Sequence, residues 1–276
     1  RLRVTKRLAI IAGKGRMPLD VAQAAADHGY RPLVMPINGQ ADADFTGFET
    51  APIRLGAIGT TSALMRNRGI DQLVLAGKVD WPSLRDLRPD RDGVKLLGKM
   101  LTRGDDKVLR LLKEYFAAQG IAIIGVDRFM PSRVMTEGLK AGNPLSPVAL
   151  AAIAHGRAVL VALGDQDVGQ SVVVQAGRVL AIEAAEGTDQ MLKRVKDLIK
   201  PDDGPTVFVK MRKLSQDRDL DRPVVGCATI EAAAGSGIDL CAIEVGSVVL
   251  GDDLDQLVAS CQRLGVSLIG FNSAAP

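Results

Sequence analysis

Residues 216–223 read QDRDLDRP, setting Asp217, Asp219 and Asp221 at every second position shortly after the cations Lys210, Arg212 and Lys213. In an extended strand that spacing puts all three carboxylates on one face, neighbours about 6.6 Å apart. Like charges placed so destabilise a strand unless a cation offsets them. Carboxylates beside cations are also what a metal-assisted phosphate site uses, since Mg²⁺ takes one or two carboxylates together with phosphate oxygens and waters. A solvated loop edge carries the same letters at little cost, and periodicity alone does not separate the two.

Three other stretches carry chemistry. AIIAGKGRMP, 9–18, reads as a buried strand, a glycine turn and a helix beginning near Pro18. The backbone N–H groups of such a junction converge with the positive helix end and suit phosphate, and Lys14 and Arg16 add charge. The dinucleotide pattern GxGxxG fails because Pro18 stands at the third glycine, and no Walker ending follows. In TRGDDKVLR, 102–110, Asp105 and Asp106 sit at a helix start, either as a cap with dipole complement or as ligand contacts. In AIEAAEGTDQMLKR, 181–194, Glu183 and Glu186 leave a strand and meet Gly187-Thr188 at a helix start. They fit a hydroxylated ligand, a metal or a helix cap equally. Nucleophilic triads find no support, because His28 and His155 both fall in helical stretches where surface or packing roles suffice.

The elements that position these residues alternate. LAIIA (8–12), PLVMPI (32–37), DQLVLAG (71–77) and IAIIGV (121–126) are apolar runs of strand length. PLDVAQAAADHG (18–29), IGTTSALMRNRG (58–69) and DKVLRLLKEYFAAQG (106–120) are helix-like stretches between them, closed by Gly29, Gly69 and Gly120. Short buried strands alternating with helices predict a parallel sheet with helices on both faces. The Pro, Gly and Ser content of 127–147 fits a linker. Beyond it come a helix in SPVALAAIAHG, a hairpin SVVVQ/RVLAIEA around Ala176-Gly177, and a helix from 188 capped by Thr188. A strand TVFVKM, a helix from 229 capped by Thr229, and strands in CAIEVGSVVLG and VSLIGF follow. The expected architecture is therefore α/β in two domains. Residues 1–130 form an N-terminal Rossmann-like parallel domain, 131–147 a linker, and 148–276 a C-terminal α/β domain with a mixed sheet.

Composition narrows the classes. The 276 residues are 47% hydrophobic, enough for a large core, while the net charge of +3 and 3% aromatic content show neither the basic face nor the stacking residues of a nucleic-acid binder. Cys227, Cys241 and Cys261 are odd in number and too widely spaced for a zinc motif or a disulfide framework. The apolar stretch 147–164 is interrupted by His155, Gly156 and Arg157 and falls short of a bilayer span. A soluble cytoplasmic chain is expected. Phe129, Met130, Val134 and Met135 of the linker are compatible with peripheral contact at the inner face of a membrane.

The blocks IAGKGRMP, LAGKVDWP, RGDDKVLR, DVGQSVVV, AIEAAEGTDQML, QDRDLDRPVVG and ATIEAAAGSGI occur in this order over nearly the whole chain. In them the sequence resembles the bacterial UDP-2,3-diacylglucosamine pyrophosphatases of lipid A synthesis. The resemblance implies two domains with the substrate between them, Mg²⁺ dependence, and water attack on the α-phosphorus giving UMP and 2,3-diacylglucosamine 1-phosphate. It implies Asp221 as the essential catalytic or metal carboxylate and Asp217 as a second metal ligand. Substrate contacts are expected at Ala12, Gly13, Lys14, Gly15, Lys78, Asp105, Asp106, Gln170, Glu186, Gly187, Thr188, Asp189, Lys210 and Lys213, and a homodimer is compatible with it. The chain departs from the family at Asp219, at Arg222 where leucine is common, and at Trp81 where arginine is usual. A relative that keeps the nucleotide-sugar site with altered catalysis is the alternative those departures raise.

Overall fold

A computed structural model describes residues 6–80, 87–100, 105–164, 166, 168–213 and 222–272. The described residues divide into one compact unit up to Pro131 and another from Ser132 onwards.

In the first unit β1 (Lys6–Ala12), α1 (Met17–Asp27), β2 (Tyr30–Pro36), β3 (Glu49–Thr50), α2 (Ile58–Asn67), β4 (Gln72–Ala76), α3 (Arg91–Met100), α4 (Asp105–Ala118) and β5 (Ala122–Ile123) follow in sequence. The strands lie in the order β3-β2-β1-β4-β5, every neighbouring pair parallel. Successive side chains point to opposite faces, and both faces are covered. Leu8, Ile10, Val34 and Val74 pack on Val21, Ala22 and Ala25 of α1, while Ala9, Leu33, Met35 and Leu73 pack on Met65 of α2 and Phe116 of α4. Burial on two sides explains why these strands read as continuous apolar runs. Gly29, Gly69 and Gly120 each take positive φ, as a chain turning from a helix into a strand requires.

The second unit holds β6 (Gly138–Ala141), α5 (Pro147–Gly164), β7 (Ser171–Gln175), β8 (Arg178–Ile182), α6 (Thr188–Val195), β9 (Thr206–Lys210), β10 (Val224–Val225), α7 (Cys227–Gly235), β11 (Leu240–Glu244), β12 (Val249–Leu250), α8 (Leu254–Leu264) and β13 (Ser267–Phe271). Its six-stranded sheet runs β6-β13-β11-β9-β7-β8, while β10 and β12 pair separately. The neighbours β13, β11 and β9 are parallel, and β6, β7 and β8 join antiparallel, so the sheet is mixed. Helices α6, α7 and α8 cover one face through Met191, Ile230 and Leu257; α5 covers the other through Ala152, Ile153 and Leu160. The hairpin turn places Ala176 and Gly177 at φ 49° and 72°, the left-handed pair that a tight two-residue loop demands.

Several expectations are corrected. The stretch 131–147 contains β6, which pairs with β13 at the sheet edge. Phe129, Met130 and Met135 are buried in the cores of their units, at 3%, 7% and 1% exposure, and do not face a membrane. Gly187 and Gly226, not Thr188 and Thr229, are the N-caps of α6 and α7. Helix α5 runs unbroken through His155-Gly156-Arg157, with a mean hydropathy of 1.6 over 18 residues, and by length and composition alone it is the one helix among the described residues that passes for a bilayer span. A third of it is buried, against the sheet, and its outward face exposes Val148, Leu150 and Val161. Gly156 interrupts nothing; it lets the helix approach the sheet, because a Cβ there would lie 2.6 Å from Val209 Cγ2.

Two outcomes follow. Gly156→Ala is expected to destabilise by about 1–3 kcal/mol in denaturant unfolding, the usual cost of overpacking. Burial lifts the Cys261 thiol to about 11 and raises Cys241 as well. An aromatic disulfide reagent at pH 8 is therefore expected to leave both unmodified until the chain unfolds.

Candidate functional site

In the first unit the chain leaves β1 for β2 on one side and later returns to β4 on the other, so the carboxyl ends of β1 and β4 frame a topological switch point, where open α/β sheets bind ligands. Both strands end there in the triplet Ala-Gly-Lys, at Ala12-Gly13-Lys14 and Ala76-Gly77-Lys78. The triplets pair: Lys14 N–H donates to Lys78 O (2.8 Å) and Lys78 N–H to Lys14 O (3.1 Å), an antiparallel bridge. Only glycine permits this approach. A Cβ on Gly13 would sit 2.4 Å from Lys78 O, and one on Gly77 2.6 Å from Lys14 O.

The bridge sets two ammonium groups around one carboxylate. Lys14 Nζ donates to Asp80 Oδ2 at 2.5 Å, and Lys78 Nζ lies 3.9 Å from Asp80 Oδ1. The bond to Asp80 raises the Lys14 ammonium above its ordinary value, and the same bond lowers Asp80. A lowered carboxyl contributes at neutral pH and loses that contribution as acid protonates it. Gln40 holds the Asp80 backbone in both directions, its Nε2 donating to Asp80 O (2.7 Å) and its Oε1 accepting from Asp80 N–H (2.8 Å). Asp42 Oδ1 accepts the N–H of Gly15 (2.7 Å), at the loop before α1. Two lysines and a turn N–H thus converge, each engaged by a carboxylate of the chain. An entering phosphate would compete with Asp42 and Asp80 for the same donors.

Nearby in sequence, Asp90 caps two helices. Its Oδ1 accepts from Gly93 N–H in α3 (2.9 Å), and its Oδ2 accepts from the N–H (2.8 Å) and hydroxyl (3.0 Å) of Thr60 in α2. Burial pushes this carboxyl up, but the N–H groups of Thr60, Gly93 and Gly59 outweigh it and the net shift is downward. Asp92 accepts from the Tyr115 hydroxyl (2.9 Å), which ties α3 to α4. Asp105 and Asp106 open α4, and their side chains lie outside the described residues.

In the second unit the carboxyl ends of β9 and β11 carry Lys210 and Glu244, 5% and 4% exposed. Lys210 Nζ donates to Thr188 Oγ1 at 2.7 Å, and Glu244 Oε2 accepts the N–H of Arg212 at 2.9 Å. Lys213 accepts through its carbonyl from Arg212 Nη1 (3.0 Å), and Gln170 through its carbonyl from Met211 N–H (3.0 Å). Gly187, at φ 79°, turns the chain into α6, where Asp189 lies in the first turn. Glu186 is paired with Arg194 (2.9 Å); its own backbone N–H and that guanidinium hold its carboxyl below the usual range. The structure therefore gathers Thr188, Lys210 and the Gly187 turn, and turns Glu186 towards an internal partner.

Asp217, Asp219 and Asp221, with Trp81, lie outside the described residues. Among the described residues no three His, Cys, Asp or Glu side chains gather to hold a metal. Sequence reading missed Gln40, Asp42, Asp80 and Glu244. Glu244 had a signal, a carboxylate ending an apolar strand of a parallel run; Gln40 and Asp42 sit in GQADAD, which carries none.

Comparison with known proteins gives two family matches, described as the LpxI N-terminal domain over residues 7–133 and the LpxI C-terminal domain over residues 136–269. The UDP-2,3-diacylglucosamine pyrophosphatase LpxI of Caulobacter vibrioides is 32% identical over 275 residues, 97% of this chain and 98% of that protein. A solved CobK precorrin-6A reductase is 11% identical, covering 98% of this chain and 89% of its own, with a TM-score of 0.36. A glycinamide-RNase-transformylase T from Mycobacterium tuberculosis is 12% identical over 65% of this chain and 44% of its own, at 0.25. Scores this low bear on neither fold nor function.

The paired Ala-Gly-Lys triplets separate two costs. Gly13→Ala, which drives a methyl into the Lys78 carbonyl, is expected to destabilise by about 1–3 kcal/mol. Gly15→Ala meets open space and strains only a φ of +88°, so about 1 kcal/mol is expected. Denaturation midpoints of the two variants check the order.

Proposed function

Because the chain belongs to the LpxI family, we propose that it hydrolyses the pyrophosphate of UDP-2,3-diacylglucosamine to UMP and 2,3-diacylglucosamine 1-phosphate in lipid A biosynthesis. The observation that carries this is the likeness to the Caulobacter pyrophosphatase, which runs through both domains and leaves almost none of either chain uncovered. The geometry of the first unit is in keeping with it. Lys14, Lys78 and the Gly15 N–H present positive charge and donors at a switch point, the equipment for a group whose phosphoryl oxygens gain charge in the transition state.

Mg²⁺ is part of the proposal, with Asp217 and Asp221 as its oxygen ligands. Carboxylate oxygens are the donors this hard ion prefers. Bound there, the ion would offset charge on the pyrophosphate oxygens. Asp221 is the carboxylate on which turnover depends, and Lys210 with Thr188 supplies neutral and cationic donors at the strand ends of the second unit.

The test is incubation with UDP-2,3-diacylglucosamine and Mg²⁺. UMP release is expected from the wild type, with a fall of at least about 10²-fold in Asp221→Ala. Chelation is expected to abolish turnover and added Mg²⁺ to restore it. In ¹⁸O-water, label in UMP assigns attack to the α-phosphorus and label in the lipid product to the β-phosphorus. Wild-type protein no faster than Asp221→Ala would leave only a nucleotide-sugar binding role.

A further inference from the structure

Across three adjacent strand ends of the second unit lies a row of polar side chains on one face. Ser171 of β7 stands directly opposite Lys210 of β9. On its other side Glu183, one residue beyond β8, donates its N–H to Ser171 O (2.9 Å) and so continues the ladder. Val173 pairs with Phe208 and with Ala181, all three in the core beneath α6, α7 and α8. Alternation then puts Ser171, Glu183 and Lys210 on that same face, with neighbouring Cβ atoms about 5 Å apart. Gly169 makes room for the arrangement, since a Cβ there would lie 1.9 Å from Glu183 O and cannot be accommodated.

The row is incompletely bonded. Lys210 Nζ is used by Thr188 Oγ1, but Ser171 Oγ, on a residue with 0% exposure, and Glu183 Oε2 are both buried and find no hydrogen-bond partner among the described residues. A buried hydroxyl and a buried carboxylate oxygen left unmade cost stability, and native folds keep few of them. Two such atoms on neighbouring ladder positions, next to that of Lys210, mark a place built to bond something else.

We propose that Glu183, Ser171 and Lys210, with the Thr188 hydroxyl at the rim, bind hydroxyl groups of a sugar. The row alternates acceptor and donors, which is what adjacent hydroxyls require, each being donor and acceptor at once. A phosphate calls for donors alone and would meet the Glu183 charge; a cation would meet the Lys210 ammonium. The identity of the probes rests on the pyrophosphatase reading, whose two products each carry one sugar: ribose in UMP, glucosamine in 2,3-diacylglucosamine 1-phosphate.

Calorimetric binding of each product to the full chain, with thermal melting, tests this without needing turnover, so a failure of the activity and a failure of the row are read separately. Ser171→Ala is expected to melt at or above the wild-type temperature, because it removes an unbonded hydroxyl, and to bind one of the two products about tenfold more weakly. Glu183→Gln, which keeps the shape of the side chain, is expected to weaken the same product. Loss of UMP affinity assigns the row to ribose, loss of lipid-product affinity to glucosamine. Unchanged binding of both products in both variants overturns the proposal. So does a Ser171→Ala variant that melts lower with binding intact, which would indicate a buried water as the hidden partner. Should Ser171→Ala not fold, Glu183→Gln decides alone.

Discussion

Helices cover both faces of each principal sheet, and that burial leaves no tolerance for an uncompensated polar side chain in the middle of a strand. Leu8, Ile10, Val34 and Val74 on one face of the first sheet, and Ala9, Leu33 and Leu73 on the other, show the constraint at work. Polar chemistry is driven to the strand ends. Lys14 and Lys78 follow the last residues of β1 and β4, Lys210 and Glu244 are the last residues of β9 and β11, and Ser171 opens β7.

At those ends the chain meets much of its own charge with its own groups. Asp80 and Asp42 engage Lys14 and the Gly15 N–H, Glu244 takes the Arg212 N–H, and Arg194 takes Glu186. Internal pairing keeps the loops ordered, and the exposed pairs contribute little to stability because solvent screens them. Asp90 differs, since one carboxylate satisfies orphan N–H groups at the starts of α2 and α3 together and so fixes the angle between two helices that share no strand.

Much of the architecture was legible because it rests on local patterns. The parallel strands announced themselves as apolar runs, the glycines after α1, α2 and α4 marked their ends, and Ala176-Gly177 marked the hairpin. Contacts between distant segments were not legible. Ala12-Gly13-Lys14 and Ala76-Gly77-Lys78 repeat one triplet, but nothing local says that they touch. The row of Glu183, Ser171 and Lys210 depends on the register of three strands, and both glutamates of AIEAAEGT read alike although Glu186 finds Arg194 and Glu183 does not. Strand β6 escaped notice because GLKA has no apolar run, needing only one partner at a sheet edge. Gly187 and Gly226 stand at caps where the neighbouring threonines looked better suited, and Thr188 is thereby released to meet Lys210.

The placement of β13 also bears on how the chain is made. Residues 267–271 lie between β6, the first strand of the second unit, and β11, so the first strand of that sheet is joined to the rest by its last. The five described strands of the first unit's sheet are all present once residue 123 has emerged, and domains commonly fold in the order of synthesis. During translation β6 must therefore wait unpaired while more than a hundred further residues are added, and a ribosome that stalls shortly before β13 leaves both β6 and the β11 edge without the strand that joins them in the finished protein.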